Sequence, residues 1–204
     1  MYDDIPPYEL FETDPAEITE MVSKYGVAIL VEQVNSSGGL SMFREARKLA
    51  NDRNDRGENG DHIVLNRERD ADEAPRMWEI FSQPWMHTVA EAHFGAEPFV
   101  FNPEITLVTV RPGGRDPVPQ VEDGPGLTFL LYVTEIGAGN GVMRCILGSH
   151  HGGKRLPSAE PTDRLVRLDA AMGSILVLDG DLTLRNAILR EHPRITASAR
   201  CYRA

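Results

Sequence analysis

The chain is short of cysteine, of positive charge and of long apolar runs. Its 204 residues hold 2 cysteines, Cys145 and Cys201, too few for a disulfide framework and suited to a reducing compartment. Lys and Arg number 21 against 31 Asp and Glu, for a formal net charge of −10. That balance argues against nucleic acid and against anionic membrane surfaces as partners, because both reward basic patches. No cluster of Lys or Arg offsets it. No apolar run approaches the roughly 18 residues of a membrane span. The opening MYDDIPPYELFETD is acidic and carries neither the basic nor the apolar region of a signal peptide. The expectation is a soluble, cytoplasmic protein. No internal repeat and no low-complexity tract breaks the chain.

What is present suffices for one core. Hydrophobic residues make up 41% of the sequence, and this length usually folds as a single domain. The N-terminal half reads as helical with one strand. Asp14 is placed to cap a helix, Pro15 fits its first turn and Glu17 stands three beyond the cap. Ile18, Met21, Val22 and Tyr25 mark one face, and Gly26 ends the helix. VAILVE, 27–32, reads as a buried strand. A second helix is expected over 40–50 with Leu40, Phe43, Ala46 and Ala50 inward. NDRNDRGENGD, 51–61, reads as a mobile loop. A third helix runs from Pro84 to Gly95, with Trp85 and Phe94 in the core.

The C-terminal half changes character. Strand-like runs occur at 99–110, 127–134, 142–147, 164–168, 174–179 and 194–203, punctuated by Gly, Pro and Asn-Gly. Many short strands with turn signals indicate a sandwich, jelly roll or barrel. Helices first and strands later indicate an α+β chain rather than a parallel βαβ sheet. None of the glycine stretches lies between a strand and a helix, as a nucleotide-binding loop requires.

Several stretches resemble one family. YGVAILVE between two helices, SQPWMHTVAEAHFG followed by a long strand ending VRPGG, GNGVMRCILGSHHGGKR, AAMGSILVLDGDL and the closing RITASARCYRA are together similar to phytanoyl-CoA dioxygenase-like proteins. The resemblance covers nearly the whole chain, read as one domain over 1–204. It implies a double-stranded β-helix, a cupin-like jelly roll flanked by N-terminal helices. Proteins of this family are typically iron(II)- and 2-oxoglutarate-dependent oxygenases.

Such an iron centre uses two His and one carboxylate and leaves positions open for 2-oxoglutarate and oxygen. The resemblance places the family's His-x-Asp on Val121-Glu122-Asp123 and its second His near Leu184. The carboxylate is present and both His positions are aliphatic, so the sequence leads to the expectation of a degenerate triad without a metal, and of no iron or 2-oxoglutarate at the site. Of the other histidines, His87 and His93 stand six apart on a helix surface, His150 falls in the Gly-Ser-His turn, His151 points elsewhere, His62 follows the loop and His192 precedes the last strand. The resemblance also implies a basic residue on the last strand that pairs with the distal carboxylate of 2-oxoglutarate, and Arg194 matches it. Thr196, Ser198 and Arg200 share its strand face, while Ile195, Ala197, Ala199 and Cys201 form the apolar one. Arg194 reads equally as an anion-binding group, since a guanidinium suits a carboxylate, and as a strand-end surface ion pair.

Asp123 has two readings, a cavity acid or base whose pKa burial would raise and a turn-capping loop carboxylate. Asn102 and Glu104 share a face of the long strand and either line the cavity or sit at an edge. Cys145 reads as core packing. Val121, Leu184, Asn102, Glu104, Thr196 and Ser198 are the candidate substrate-binding residues, and Asp123 and Arg194 the candidate catalytic ones.

Three functions follow. The first is a metal-independent enzyme that isomerises, cyclises, eliminates or hydrolyses a small biosynthetic metabolite, including one that carries a carboxylate. The second is a non-catalytic ligand-binding or partner subunit, as a homodimer or beside an active paralogue. The third is an iron oxygenase with ligands drawn from elsewhere. Fold alone does not choose among them.

Overall fold

A computed structural model describes residues 14–112, 126–137, 141–152, 165–185 and 191–204. Helix α1, Pro15–Tyr25, begins where Asp14 accepts a hydrogen bond from the Ala16 amide at 2.9 Å, a cap worth about 1 kcal/mol. It ends at Gly26, whose φ of 81° is the left-handed conformation that glycine adopts without steric cost. A Cβ there would also stand 2.6 Å from a Leu182 methyl and 2.7 Å from His150 Nδ1. Ile18 and Val22 are buried, whereas Met21, expected inward, is exposed.

Strand β1 is shorter than VAILVE, spanning Val27–Leu30. The chain then turns through Glu32 at φ 50°, and the Glu32 amide donates to the Ser174 hydroxyl at 3.0 Å. Helix α2 is longer than expected, Ser36–Asp55, capped by Asn35. Its inward stripe is Met42, Ala46 and Leu49, with Gly38 and Gly39 also buried. Leu40 is therefore exposed, and Phe43 and Ala50 are only partly covered. Gly39 lets the first turn close on Met172, whose side chain would lie 3.0 Å from an added Cβ.

The 51–61 stretch is not a loop throughout. Its first five residues finish α2. The turn after it is tied by Arg53 to Glu58 at 2.9 Å and by Asn54 Oδ1, which accepts from the Gly60 amide at 3.1 Å. A strand absent from the sequence reading follows, β2 at His62–Asn66, then a short turn of helix α3, Arg67–Asp70, and α4, Pro75–Phe81. Glu45 of α2 accepts the Arg76 and Met77 amides at the start of α4. Helix α5 is Pro84–Phe94, as expected, with Phe94 buried and Trp85 edge-on to Phe129 at 5.8 Å.

The remaining strands are β3 Phe99–Val110, β4 Gly126–Tyr132, β5 Arg144–Ile146, β6 Leu165–Arg167, β7 Ile175–Asp179, β8 Leu184–Arg185 and β9 Arg194–Arg203. The described strands form two antiparallel sheets, a large one ordered β1-β7-β4-β9-β3-β2 and a small one ordered β6-β5-β8. Helices on one face of the large sheet and a second sheet on the other make this the expected α+β, cupin-like jelly roll.

Alternation along the strands divides the core in two. Leu127, Phe129 and Leu131 of β4, Ile195, Ala197, Ala199 and Cys201 of β9, and Ile105 and Leu107 of β3 pack against the helices. The opposite face looks toward the small sheet. There Val27, Leu176, Leu178, Leu130 and Tyr132 join Cys145, Leu168 and Leu182 in a second apolar cluster. Among the described residues no helix is long and apolar enough to cross a membrane.

Candidate functional site

The inner face of the large sheet is not uniform. The apolar cluster between the sheets draws on β1, β7 and β4 and takes no described residue from β9, β3 or β2. The Tyr132 hydroxyl closes that half by donating to the Leu168 carbonyl at 2.8 Å. Leu184, the position where the resemblance puts a histidine, pairs with Cys145 on the small sheet and packs against the same cluster. Cys145 is fully buried and burial pushes its thiol up to about 11, so it serves packing, as read from the sequence.

Across β9 and β3 the inner face turns polar. Arg194, Thr196, Ser198 and Arg200 alternate with the apolar residues that face the helices. Arg194 heads the strand opposite Val110, is 4% exposed, and donates from Nη1 to the Gly141 carbonyl at 2.7 Å. This corrects the surface ion-pair reading of Arg194: the head of β9 lies inside the fold, not at its rim. Thr196 lies between Tyr132 and Val108, and Ser198 between Leu130 and Thr106. Glu104 is half-buried and opposite Asn66 of β2. Asn102 sits where the β3–β9 register shifts between Phe101 and Ile105, and its Oδ1 accepts the Glu104 amide at 3.2 Å. The structure therefore brings Arg194, Thr196, Ser198 and Glu104 to one sheet face. Val121, Glu122 and Asp123 lie outside the described residues.

Two further members of this face escaped the sequence reading. Thr106 lies beside Ser198, and Thr128 faces inward between Leu178 and Arg200. Thr128 was legible as the one non-aromatic polar residue in the apolar run LTFLLY. Thr106 required the register.

Of the histidines, His62 lies on this face, exposed on β2 opposite Val108. His87 is exposed and its ring lies 4.2 Å from that of Phe101. His93 is not simply a surface residue: Nε2 stands 3.8 Å from Asp179 Oδ2. Burial holds its pKa below the ordinary value, and the Asp179 charge opposes that shift. His150 Nε2 meets the Ser23 carbonyl at 3.0 Å, so the turn that carries it is joined to the end of α1. His192 is exposed.

Among the described residues no three His, Cys, Asp or Glu side chains converge as a metal would need, and Leu184 offers no lone pair. The anion end differs. A buried guanidinium with a threonine two residues along the same face suits a carboxylate, including the distal carboxylate of 2-oxoglutarate.

No protein-family model matches the chain, and no curated protein matches it. Solved structures do. The non-heme alpha ketoglutarate dependent epimerase SnoN from nogalamycin biosynthesis is 17% identical, with a TM-score of 0.64 over 94% of this chain and 84% of that one. A second SnoN structure holds Fe3+, alpha ketoglutarate and nogalamycin RO. The carbocyclase SnoK, also alpha ketoglutarate dependent and from nogalamycin biosynthesis, is 14% identical with a TM-score of 0.67 over 92% and 83%. EctD from S. alaskensis, solved with 2-oxoglutarate and 5-hydroxyectoine, is 17% identical with a TM-score of 0.67 over 99% and 81%.

These likenesses establish the oxygenase-like jelly-roll fold. They also correct the expectation of a site without cofactors, since two of the structures similar to this chain hold 2-oxoglutarate, one of them with Fe3+. The reason for the error is physical. That expectation extended two aliphatic side chains, Val121 and Leu184, to a whole site, although the anion end depends on neither.

Proposed function

We propose that this protein is a tailoring enzyme of a biosynthetic pathway that acts on a small organic metabolite between its two sheets, with Arg194 anchoring a carboxylate there. The observation that carries this reading is the burial of Arg194 at the head of a polar strand face. A guanidinium taken out of water needs anionic or carbonyl partners, and Gly141 supplies one carbonyl. Thr196, on the same face, adds a hydroxyl. Rearrangement of a carbon skeleton or a stereocentre is the reaction class favoured, because an epimerase and a carbocyclase share the fold.

In this reading Arg194 and Thr196 orient the carboxylate end of the bound molecule. The aliphatic side chains of Leu130 and Leu184 exclude water from its other flank. Asp123 is the candidate to accept or return a proton. Arg194 would equally hold the distal carboxylate of 2-oxoglutarate, which when bound beside a ferrous ion would supply two electrons toward the reduction of dioxygen. The described residues supply no set of metal ligands, and no step above runs through a metal.

Calorimetric titration of 2-oxoglutarate and of simple dicarboxylates, with iron content measured on the same protein, tests the proposal. The wild type should bind a carboxylate, and Arg194→Ala should weaken binding about tenfold or more, the worth of a charge-assisted hydrogen bond. Equal affinity in the two proteins would remove Arg194 from the site. Carboxylate binding with no turnover of any candidate metabolite would favour a ligand-binding subunit.

A further inference from the structure

We infer that this protein pairs with a second copy of itself about a two-fold axis, through the outward face of α2, where two concavities of opposite charge meet. The stripe of α2 that turns away from the buried Met42, Ala46 and Leu49 carries Leu40, Phe43, Arg44, Arg47 and Lys48. Three- and four-residue steps make these neighbours on one helix face. Leu40 is 41% exposed and Phe43 is only partly covered. Both residues line both concavities. One, of about 460 Å³, adds Val34, Ala171 and Met172 and carries Glu32 and Glu135. The other, of about 750 Å³, holds Arg44, Arg47, Lys48 and, from α4, Arg76. An apolar centre thus separates an acidic flank from a basic one.

The charges of the two flanks are not answered locally. Glu45, Asp52 and Asp72 also line the basic side, but both Glu45 oxygens accept the Arg76 and Met77 amides of α4. Arg44, Arg47 and Lys48 are exposed and form no ion pair among the described residues. The Arg47 guanidinium lies 5.7 Å from the Phe43 ring centroid, which sets positive charge directly beside the apolar centre. Like charges three and four apart weaken a helix. A chain with 31 acids against 21 bases has carboxylates in excess, and Arg53, Arg69, Arg111 and Arg203 each find one. On the acidic side Glu32 is exposed and forms no ion pair among the described residues. Each flank lacks what the other offers.

That relation selects the partner. A two-fold interface presents one patch from both subunits, so contacts occur in reciprocal pairs. With the axis at Leu40 and Phe43, apolar side chains meet at the centre, and the acidic flank of each copy meets the basic flank of the other at two equivalent places. An apolar middle with a charged rim is the usual anatomy of an interface. A partner of one charge sign would be repelled by one flank, whereas a second copy answers both.

Sedimentation velocity on the full chain at micromolar concentrations tests the inference with two charge-reversed proteins. One carries Glu32→Lys with Glu135→Lys, the other Arg44→Glu with Arg47→Glu. All four positions are exposed, and circular dichroism checks that each variant keeps its fold. The wild type should sediment at twice the chain mass and dissociate as salt is raised. Either variant alone sets like charges across the axis and should dimerise about tenfold more weakly or worse. Mixed in equal amounts, the two should pair again, because each flank then meets its opposite. Leu40→Asp, which places like charges at the axis, should prevent pairing. A wild type that is monomeric at every concentration overturns the inference. So do charge-reversed variants that pair as the wild type does, or a mixture that stays monomeric. Assemblies that keep growing with concentration overturn it too, since they mark a head-to-tail contact. Arg194→Ala should leave the dimer intact, which keeps this result separate from that of the carboxylate site.

Discussion

The two halves of the large sheet's inner face make the instructive contrast. Over β1, β7 and β4 that face is Val27, Leu176, Leu178, Leu130 and Tyr132, closed by the small sheet into a second core. Over β9 and β3 it is mixed and more polar: Arg194, Thr196, Ser198 and Arg200 on β9, and Glu104, Thr106, Val108 and Val110 on β3. Both halves are parts of one continuous hydrogen-bonded sheet, and both have helices behind them. The difference is therefore not architectural. It lies in which residue type occupies alternate positions: one half and the helix-facing surface carry the apolar packing, and the other half is where the proposed ligand site lies.

The largest effect should come from the helix-facing side. Phe129 is fully buried, edge-on to Trp85 and stacked on Phe101 at 6.0 Å. Phe129→Ala should cost about 3–5 kcal/mol, read by chemical denaturation. Next is the closed half of the inner face. Tyr132→Phe removes the bond to the Leu168 carbonyl and leaves that buried acceptor unmet, for a loss of about 1–3 kcal/mol. In the polar half, Ser198→Ala should change stability by no more than about 0.5 kcal/mol, while ligand binding falls. A destabilisation as large as that of Tyr132→Phe would erase the contrast.

A pH effect sits on the helix-facing side of the sheet, where His93 of α5 meets Asp179 at the end of β7. Burial keeps the His93 pKa below its ordinary 6.5 despite the attraction of Asp179. The folded state thus binds fewer protons than the unfolded chain, whose imidazole titrates near 6.5. Stability from this site is complete above that pH and is lost as the pH falls through the lower folded value. Thermal unfolding from pH 8 to pH 5 should show a decline that His93→Asn reduces, and an unchanged profile in the variant would assign the decline to other groups.

Much of this was legible in the sequence, in specific places. Asp14, Pro15 and Gly26 marked α1 because caps are local chemistry. The long strand at 99–110 and the closing strand at 194–203 were plain from their β-branched alternation, and the latter already separated Arg194, Thr196 and Ser198 from Ile195, Ala197 and Ala199. The phase of α2 was misread because the buried Gly38 and Gly39, the latter set against Met172, carry no hydrophobic signal. β2 was hidden because HIVLN follows a polar stretch and is defined by its pairing to β3, which no local pattern encodes. Leu184 was singled out by resemblance alone, and its packing against the second core, rather than in the polar half, depends on the pairing of β8 with β5.

The most direct test of the central claim, that the polar half of the inner face is the ligand site, is an amide-shift map on addition of 2-oxoglutarate. The account predicts perturbations concentrated on Arg194, Thr196, Ser198 and their β3 neighbours Thr106 and Val108, with β1 and the helix-facing residues unmoved. Perturbations confined to β1 or to the helices, with β9 silent, would contradict it.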